Sequence, residues 1–212
     1  SVAISSYHKE TNPSFSETMN LLFSDGIINE KLIETIKEYG EDSIDAVINH
    51  ENDYNFDYFA WRSLQEMYLL KRPNGVVVER PQHMYMRVSL WVTDNFVDAV
   101  EYYKSLSNQL ISKATPIMIN AGTKVPQLAS CVLHYNNSDS RSGLLNTLTD
   151  ISTYSSDAAG IGLSMSNIRS KESRISTSGG YAGGLLKYLK IVNESLRFFN
   201  QQGRRPGSAA IY

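Results

Sequence analysis

Residues 129–164 read ASCVLHYNNSDSRSGLLNTLTDISTYSSDAAGIGLS, and the order of textures in this stretch decides the fold. ASCVLHY is a short apolar run of the kind that forms a buried strand. Ser138, Asp139 and Ser140 are residue types that cap helix N-termini, and the stripe Leu144, Leu145, Leu148, Ile151 behind them recurs at helical spacing. GIGLSMS then supplies a second strand. A polar, glycine-rich loop (169–184) leads to LLKYLKIVNESLRFF, with Leu185, Leu186, Leu189, Val192, Leu196 and Phe199 along one side. After a second polar loop, NQQGRRPG (200–207), the residues SAAIY open a third strand. Strand, helix, strand, helix, strand predicts parallel pairing through right-handed crossovers. Three strands cannot close a barrel and leave an edge open, so the sequence reads as the opening part of a larger α/β sheet, cut short.

Upstream the texture is helical. Aromatic and aliphatic residues recur at three and four: Phe15, Met19, Leu22; Ile28, Leu32, Ile36; Phe59, Leu64, Met67, Leu70. A turn signal at Pro73, Asn74 and Gly75 precedes the run Val76–Val78, which predicts a single short strand. A second helical stretch is expected from Pro81 through Tyr102, with Asp94 capping a break inside it. The domain expectation is therefore a helical region over 1–112 and an α/β region over 113–212.

The bulk composition narrows the function classes. Of 212 residues, 42% are apolar and 20% charged, which is globular rather than disordered. A net charge of −2 removes the basic excess that nucleic-acid binding requires, while leaving small anions open. One cysteine, Cys131, cannot form an internal disulfide, and with His8, His50, His83 and His134 scattered along the chain no structural zinc site is expected. A reducing, cytoplasmic setting follows. The N-terminal residues SVAISSYHKET lack a signal-peptide pattern, and no apolar run reaches the roughly 18 residues of a membrane span.

Generic signatures fail. AGIGLS has two glycines of a dinucleotide fingerprint without the third, and it enters a strand instead of leaving one. No P-loop, HExxH, GxSxG or Cys-x-x-Cys occurs. Arg169, Lys171 and Arg174 suit phosphate oxygens but equally suit a solvated loop. An isolated cysteine in a strand is ordinarily a small buried hydrophobe.

The order of four longer stretches says more. ERPQHMYMRVSLWV (79–92), KATPIMINAGTKVPQLASCVL (113–133), DAAGIGLSMSNIRS (157–170) and GRRPGSAAIY (203–212) resemble the catalytic large subunit of class I ribonucleotide reductase, and the resemblance runs from AISSYHKET to the last tyrosine. It implies a helical region followed by the first strands of a ten-stranded α/β barrel, incomplete in this chain. It also implies that Cys131 is one of two cysteines that reduce the substrate, forming a disulfide as the ribose 2'-hydroxyl leaves as water. Thr115 and Ser130 match positions that hold the substrate diphosphate, and Ala158 with Ala159 a backbone-contact pair; the family usually has glycine where Ala159 stands.

The family's effector site, which takes a deoxynucleoside triphosphate or ATP with Mg2+ at a dimer interface, maps onto Asp139, Ser140, Arg141, Ser156, Arg169, Ser176 and Thr177. Here the sequence departs from the family pattern twice, with serine at 156 where lysine is common and arginine at 141 where an apolar residue is common. Gln201 and Arg205 match the loop that relays effector identity to the substrate. The implied partners are the remainder of the large subunit, a radical-generating small subunit, thioredoxin or glutaredoxin as reductant, and a second copy through helices 141–156 and 183–199. Neither nucleic acid nor membrane is expected. The resemblance begins beyond the family's N-terminal ATP-cone and omits the thiyl cysteine, so this segment alone is expected to be inactive. The competing expectations are a non-catalytic nucleotide-binding and dimerisation module of the same descent and, further off, a structural helical protein with an incidental thiol.

Overall fold

The computed structural model describes residues 2–125, 127–200 and 206–212. They fall into two compact units that divide between Leu128 and Ala129.

The first unit is helical: α1 (Val2–Glu10), α2 (Phe15–Ser24), α3 (Glu30–Tyr39), α4 (Glu41–Val47), a 3-10 turn (His50–Asn55), α5 (Tyr58–Ser63) running into a π-helical turn (Leu64–Tyr68), α6 (Pro81–Val92), α7 (Phe96–Ser107) and α8 (Thr115–Asn120). Short polar side chains set the helix starts. Ser14 accepts from Glu17 N–H at 3.1 Å, Asn29 from Lys31 at 3.0 Å, Asp57 from Ala60 at 2.7 Å and Asn95 from Asp98 at 2.9 Å. Asn95, not Asp94, therefore caps the break expected after Pro81, and the helical stretch is two helices separated by residues 93–95. The valine run is not a strand. It closes on itself across the turn, with one isolated bridge between Lys71 and Val77 and a bond from Arg72 N–H to Val76 O of 2.8 Å. α8 packs on α6, which is why the first unit extends past residue 112 to Leu128.

The periodic residues Phe15, Met19, Leu22, Ile28, Leu32 and Ile36 are all buried together. Phe59 is not: it is 78% exposed, and Trp61 is buried in its place. The π-helical turn just beyond, closed by a bond from Leu69 N–H to Leu64 O of 3.0 Å, departs from the 3.6-residue spacing on which the expected stripe relied. At the centre of α6, Arg87 lies fully buried against Glu79, with Nε to Oε1 at 2.6 Å and Nη2 to Oε2 at 3.1 Å. Its other donors reach the carbonyls of Met118 and Ala121, tying α8 to α6.

The second unit contains β1 (Cys131–Tyr135), α9 (Arg141–Ser156), β2 (Gly160–Ser164), α10 (Leu185–Phe198) and β3 (Ala209–Ile211). The strands are parallel in the order β1-β2-β3, in a register that sets Cys131 opposite Gly160 and Ile161 opposite Ala209. Ile161 and Leu163 face the helices and pack with Ile151, Tyr188, Val192 and Leu196. The other face is uncovered among the described residues. Cys131 is exposed, Leu133 is 80% exposed, and Tyr135 continues the same row. β1 was expected to be buried; its alternation of exposed and half-buried residues shows that helices cover one side only. Parallel sheets ordinarily have both faces covered, so a bare face on an unclosed parallel sheet is what the first strands of an α/β barrel present.

Candidate functional site

Two features of the second unit bring expected residues together. The first surrounds Cys131. Its strand neighbour Gly160 lacks a side chain, and a Cβ there would stand 3.7 Å from Sγ, so the glycine leaves the thiol's flank open. Ser130, exposed beside it, gives its carbonyl to Gly160 N–H at 2.7 Å. Gly160 is reached through a tight helix exit. After the C-cap Asp157, Ala158 takes the left-handed conformation at φ 72°. Its N–H bonds Ser155 O at 3.0 Å, and Ala159 N–H bonds Tyr154 O at 2.9 Å. This pair of bonds is a Schellman motif, whose left-handed position favours glycine. The strained alanine is thus Ala158, while Ala159 is buried. Thr115 lies in the first unit, where it opens α8 and its Oγ1 is 3.1 Å from Tyr68 Oη.

The second feature is a cleft of about 580 Å³ whose walls include Asp139, Ser140, Arg141, Arg169, Ser176 and Thr177. Ser140 caps α9 by accepting from Gly143 N–H at 3.1 Å, which places Arg141 at the first helical position. Gly143 cannot carry a side chain, because a Cβ would run into Ser138. Arg169 is held by Asp139: its Nε and its backbone N–H, the latter at 3.2 Å, both donate to Oδ2, and Nη2 donates to the Asp139 carbonyl at 3.3 Å. Nη1 reaches Arg174 O at 3.4 Å. The loop that forms the far wall folds back on itself through Ala182 N–H to Ser173 O at 2.8 Å and Ile175 N–H to Gly180 O at 2.8 Å. It ends at Gly184, whose φ of 81° and contact with Lys171, 2.8 Å from the position of a Cβ, exclude other residues. Tyr188 donates its hydroxyl to Leu144 O at 2.7 Å, pinning α10 to α9, and burial pushes its pKa up to about 12.

Ser156 does not reach this cleft. It lines a separate groove of about 510 Å³ with Ser152, Thr153, Asp157 and Ser195. Gln201 and Arg205 lie outside the described residues. Lys187 and Tyr188 are among the cleft residues that were not expected. The available signal for Lys187 was a lysine in the first turn of a helix with no acidic residue there.

Comparison with known proteins places the two units in one family. Residues 54–126 match the ribonucleotide reductase all-alpha domain, and residues 129–212 match the ribonucleotide reductase barrel domain. The whole chain aligns with the ribonucleoside-diphosphate reductase large subunits of Dictyostelium discoideum (36% identical, covering 25% of that protein) and vaccinia virus (39%, covering 28%). The Arabidopsis thaliana large subunit is 36% identical over 222 residues. The chain belongs to the ribonucleotide reductase large-subunit family. It spans about a quarter of the length of the relatives it matches.

Proposed function

We propose that this chain is part of the catalytic subunit of a ribonucleoside-diphosphate reductase, with Cys131 as one of two thiols that reduce the ribose. In the reaction two thiols supply two hydrogens and two electrons: the 2'-hydroxyl leaves as water, hydrogen replaces it on carbon, and the two sulfurs join as a disulfide. Thioredoxin or glutaredoxin then exchanges that disulfide back to thiols. The second thiol is not among these 212 residues, where Cys131 is the single cysteine. Thr115, Ser130 and the backbone of Ala158 and Ala159 would hold the substrate diphosphate.

The observation that carries this reading is the exposure of Cys131 on the uncovered face of the sheet, with Gly160 beside it and no hydrocarbon sealing it. A buried structural cysteine would sit instead with Ile161 and Leu163 under the helices. The cleft around Asp139 and Arg169 supports an effector site for a deoxynucleoside triphosphate or ATP, with Mg2+ accompanying the phosphates. Leu145, Leu186, Ile191 and Phe198 are each more than half exposed on α9 and α10, which suits pairing of these helices with a second copy. An effector site at that interface would receive Ser156 from the second copy. The radical-generating small subunit completes the assembly. Among the described residues no helix is long and apolar enough to cross a membrane, and a cytoplasmic setting suits the free thiol.

The test is Cys131→Ser in the reconstituted holoenzyme, the remaining barrel and small subunit included. Multiple-turnover reduction is lost and nucleotide binding is kept; unchanged multiple turnover refutes the assignment. A nucleotide-binding module without reduction is the second reading, favoured by the cleft's lining falling entirely within residues 139–191, which exclude Cys131. It is selected if mixing with the remaining barrel restores effector binding but no thiol-dependent reduction.

A further inference from the structure

Tyr68 closes the π-helical turn Leu64–Tyr68, and its hydroxyl lies 3.1 Å from Thr115 Oγ1, 47 positions away in sequence. Both side chains are half-buried, and neither hydroxyl has another hydrogen bond among the described residues. A π turn takes one residue more than an α turn, so it changes the face on which Tyr68 leaves the helix, and such turns recur at functional sites. One buried ion pair frames both partners. Glu79 Oε2 accepts from Leu70 N–H at 2.9 Å, just beyond Tyr68, and Arg87, paired with Glu79, donates to Met118 O on α8 at 2.9 Å. Pro116, buried next to Thr115, fixes the backbone there. A hydroxyl carries one proton and two acceptor sites. When Tyr68 donates to Thr115 Oγ1, the threonine proton is free to point toward an anionic oxygen; when Thr115 donates to Tyr68, only lone pairs are left to face one. An anion at Thr115 therefore selects the first arrangement, and the chain from Tyr68 through Thr115 to the anion polarises each bond in turn.

We propose that Tyr68 is a positioning residue for the substrate: by donating to Thr115 Oγ1 it holds the threonine side chain and turns its proton toward a phosphate oxygen of the nucleoside diphosphate. This rests on the reading of Thr115 as a contact to the substrate diphosphate and adds the group that orients it. In this arrangement Tyr68 touches no reacting atom. Its effect passes through the Thr115 hydroxyl and falls on substrate binding rather than on the chemical step.

The experiment measures KM and kcat for CDP reduction by the reconstituted holoenzyme, at constant effector, for Tyr68→Phe, Thr115→Ser, Thr115→Val and the two double variants. Tyr68→Phe removes one oxygen and raises KM about fivefold, the size of one neutral hydrogen bond, with kcat within about twofold of the parent. The same change on T115S, which keeps the hydroxyl, again raises KM about fivefold; on T115V it adds nothing. A purely structural tie between α8 and the π-helical turn would lower the thermal midpoint without this dependence of KM on residue 115. An unchanged KM in Y68F, with KM raised in T115V, overturns the positioning role and leaves Thr115 as a diphosphate contact. An unchanged KM in both overturns both. A rise in KM from Y68F that persists on T115V, or a loss confined to kcat, overturns the route through Thr115.

Discussion

Asp139 and Arg169, thirty positions apart, are joined by three hydrogen bonds: Oδ2 accepts from both the side-chain Nε–H and the backbone N–H of Arg169, and the Asp139 carbonyl accepts from Nη2–H. One aspartate thereby fixes the orientation of the arginine and the path of the loop that follows β2. The pair is partly exposed, at 37% for the arginine and 18% for the aspartate side chain, so solvent screens it. Asp139→Asn keeps the backbone bonds and loses the charge pairing, and is expected to cost about 1 kcal/mol of unfolding free energy. Urea denaturation of the variant against the parent measures it; a loss above about 3 kcal/mol would mean the pair behaves as a buried one.

Ala158 at φ 72° occupies the left-handed position of a Schellman motif. An L-residue there costs about 1–2 kcal/mol, and glycine's greater freedom in the unfolded chain takes back part of the relief. Ala158→Gly is expected to stabilise by roughly 0.5–1 kcal/mol, seen as a higher urea midpoint at unchanged slope. Ala158→Val should move the midpoint the other way.

The pair Arg87 and Glu79 is fully buried, and Glu79 Oε2 also accepts Leu70 N–H at 2.9 Å. Arg87→Met leaves a carboxylate in the core with its cation gone, at a cost of about 3–5 kcal/mol. Removing both charges, as in Arg87→Met with Glu79→Leu, is expected to be less damaging than R87M alone. Thermal melts of the two variants decide this, and a double variant less stable than the single one would contradict it.

His83 and His50 lie 5.1 Å apart between ring centroids, and both Nε2 atoms meet the carbonyl of Pro13, at 3.1 and 2.9 Å. Burial holds both pKa values below the ordinary histidine range, His83 furthest. Arg80 and His8 nearby disfavour further protonation, while Asp53 favours it at His50. In the unfolded chain both rings titrate near pH 6.5. Their contribution to stability is therefore complete above about pH 6.5 and is lost as pH falls toward the depressed folded values, because the unfolded state then binds more protons. The slope approaches about 1.4 kcal/mol per pH unit for each ring. Urea midpoints from pH 7.5 to 5 check this, and His83→Gln should flatten the decline; an equal decline in the variant would exclude His83 as its source.

How much of this was legible beforehand differs between the two units. In the second, local signals sufficed: Ser140 caps α9, β2 begins at Gly160, and the expected third strand is Ala209–Ile211. In the first, Phe59 and the valine run misled, because a π-helical turn and a single bridge interrupt the regular spacings from which strands and helices are read. Six expected effector residues gather in one cleft, while the lysine in an acid-free first turn of α10 signals a free cation at 187 but not which loop lies opposite it.

In the second unit the chain by itself determined where helices and strands begin, because capping side chains, glycines and apolar spacing act over a few residues. It also carried the family resemblance that drew attention to the single thiol. Only the tertiary structure decided that the thiol faces outward, that Asp139 neutralises Arg169, and that Arg141 and Lys187 have no ion pair among the described residues. Exposure and charge pairing depend on segments thirty or more positions apart meeting in space, and short-range spacing carries no information about that meeting.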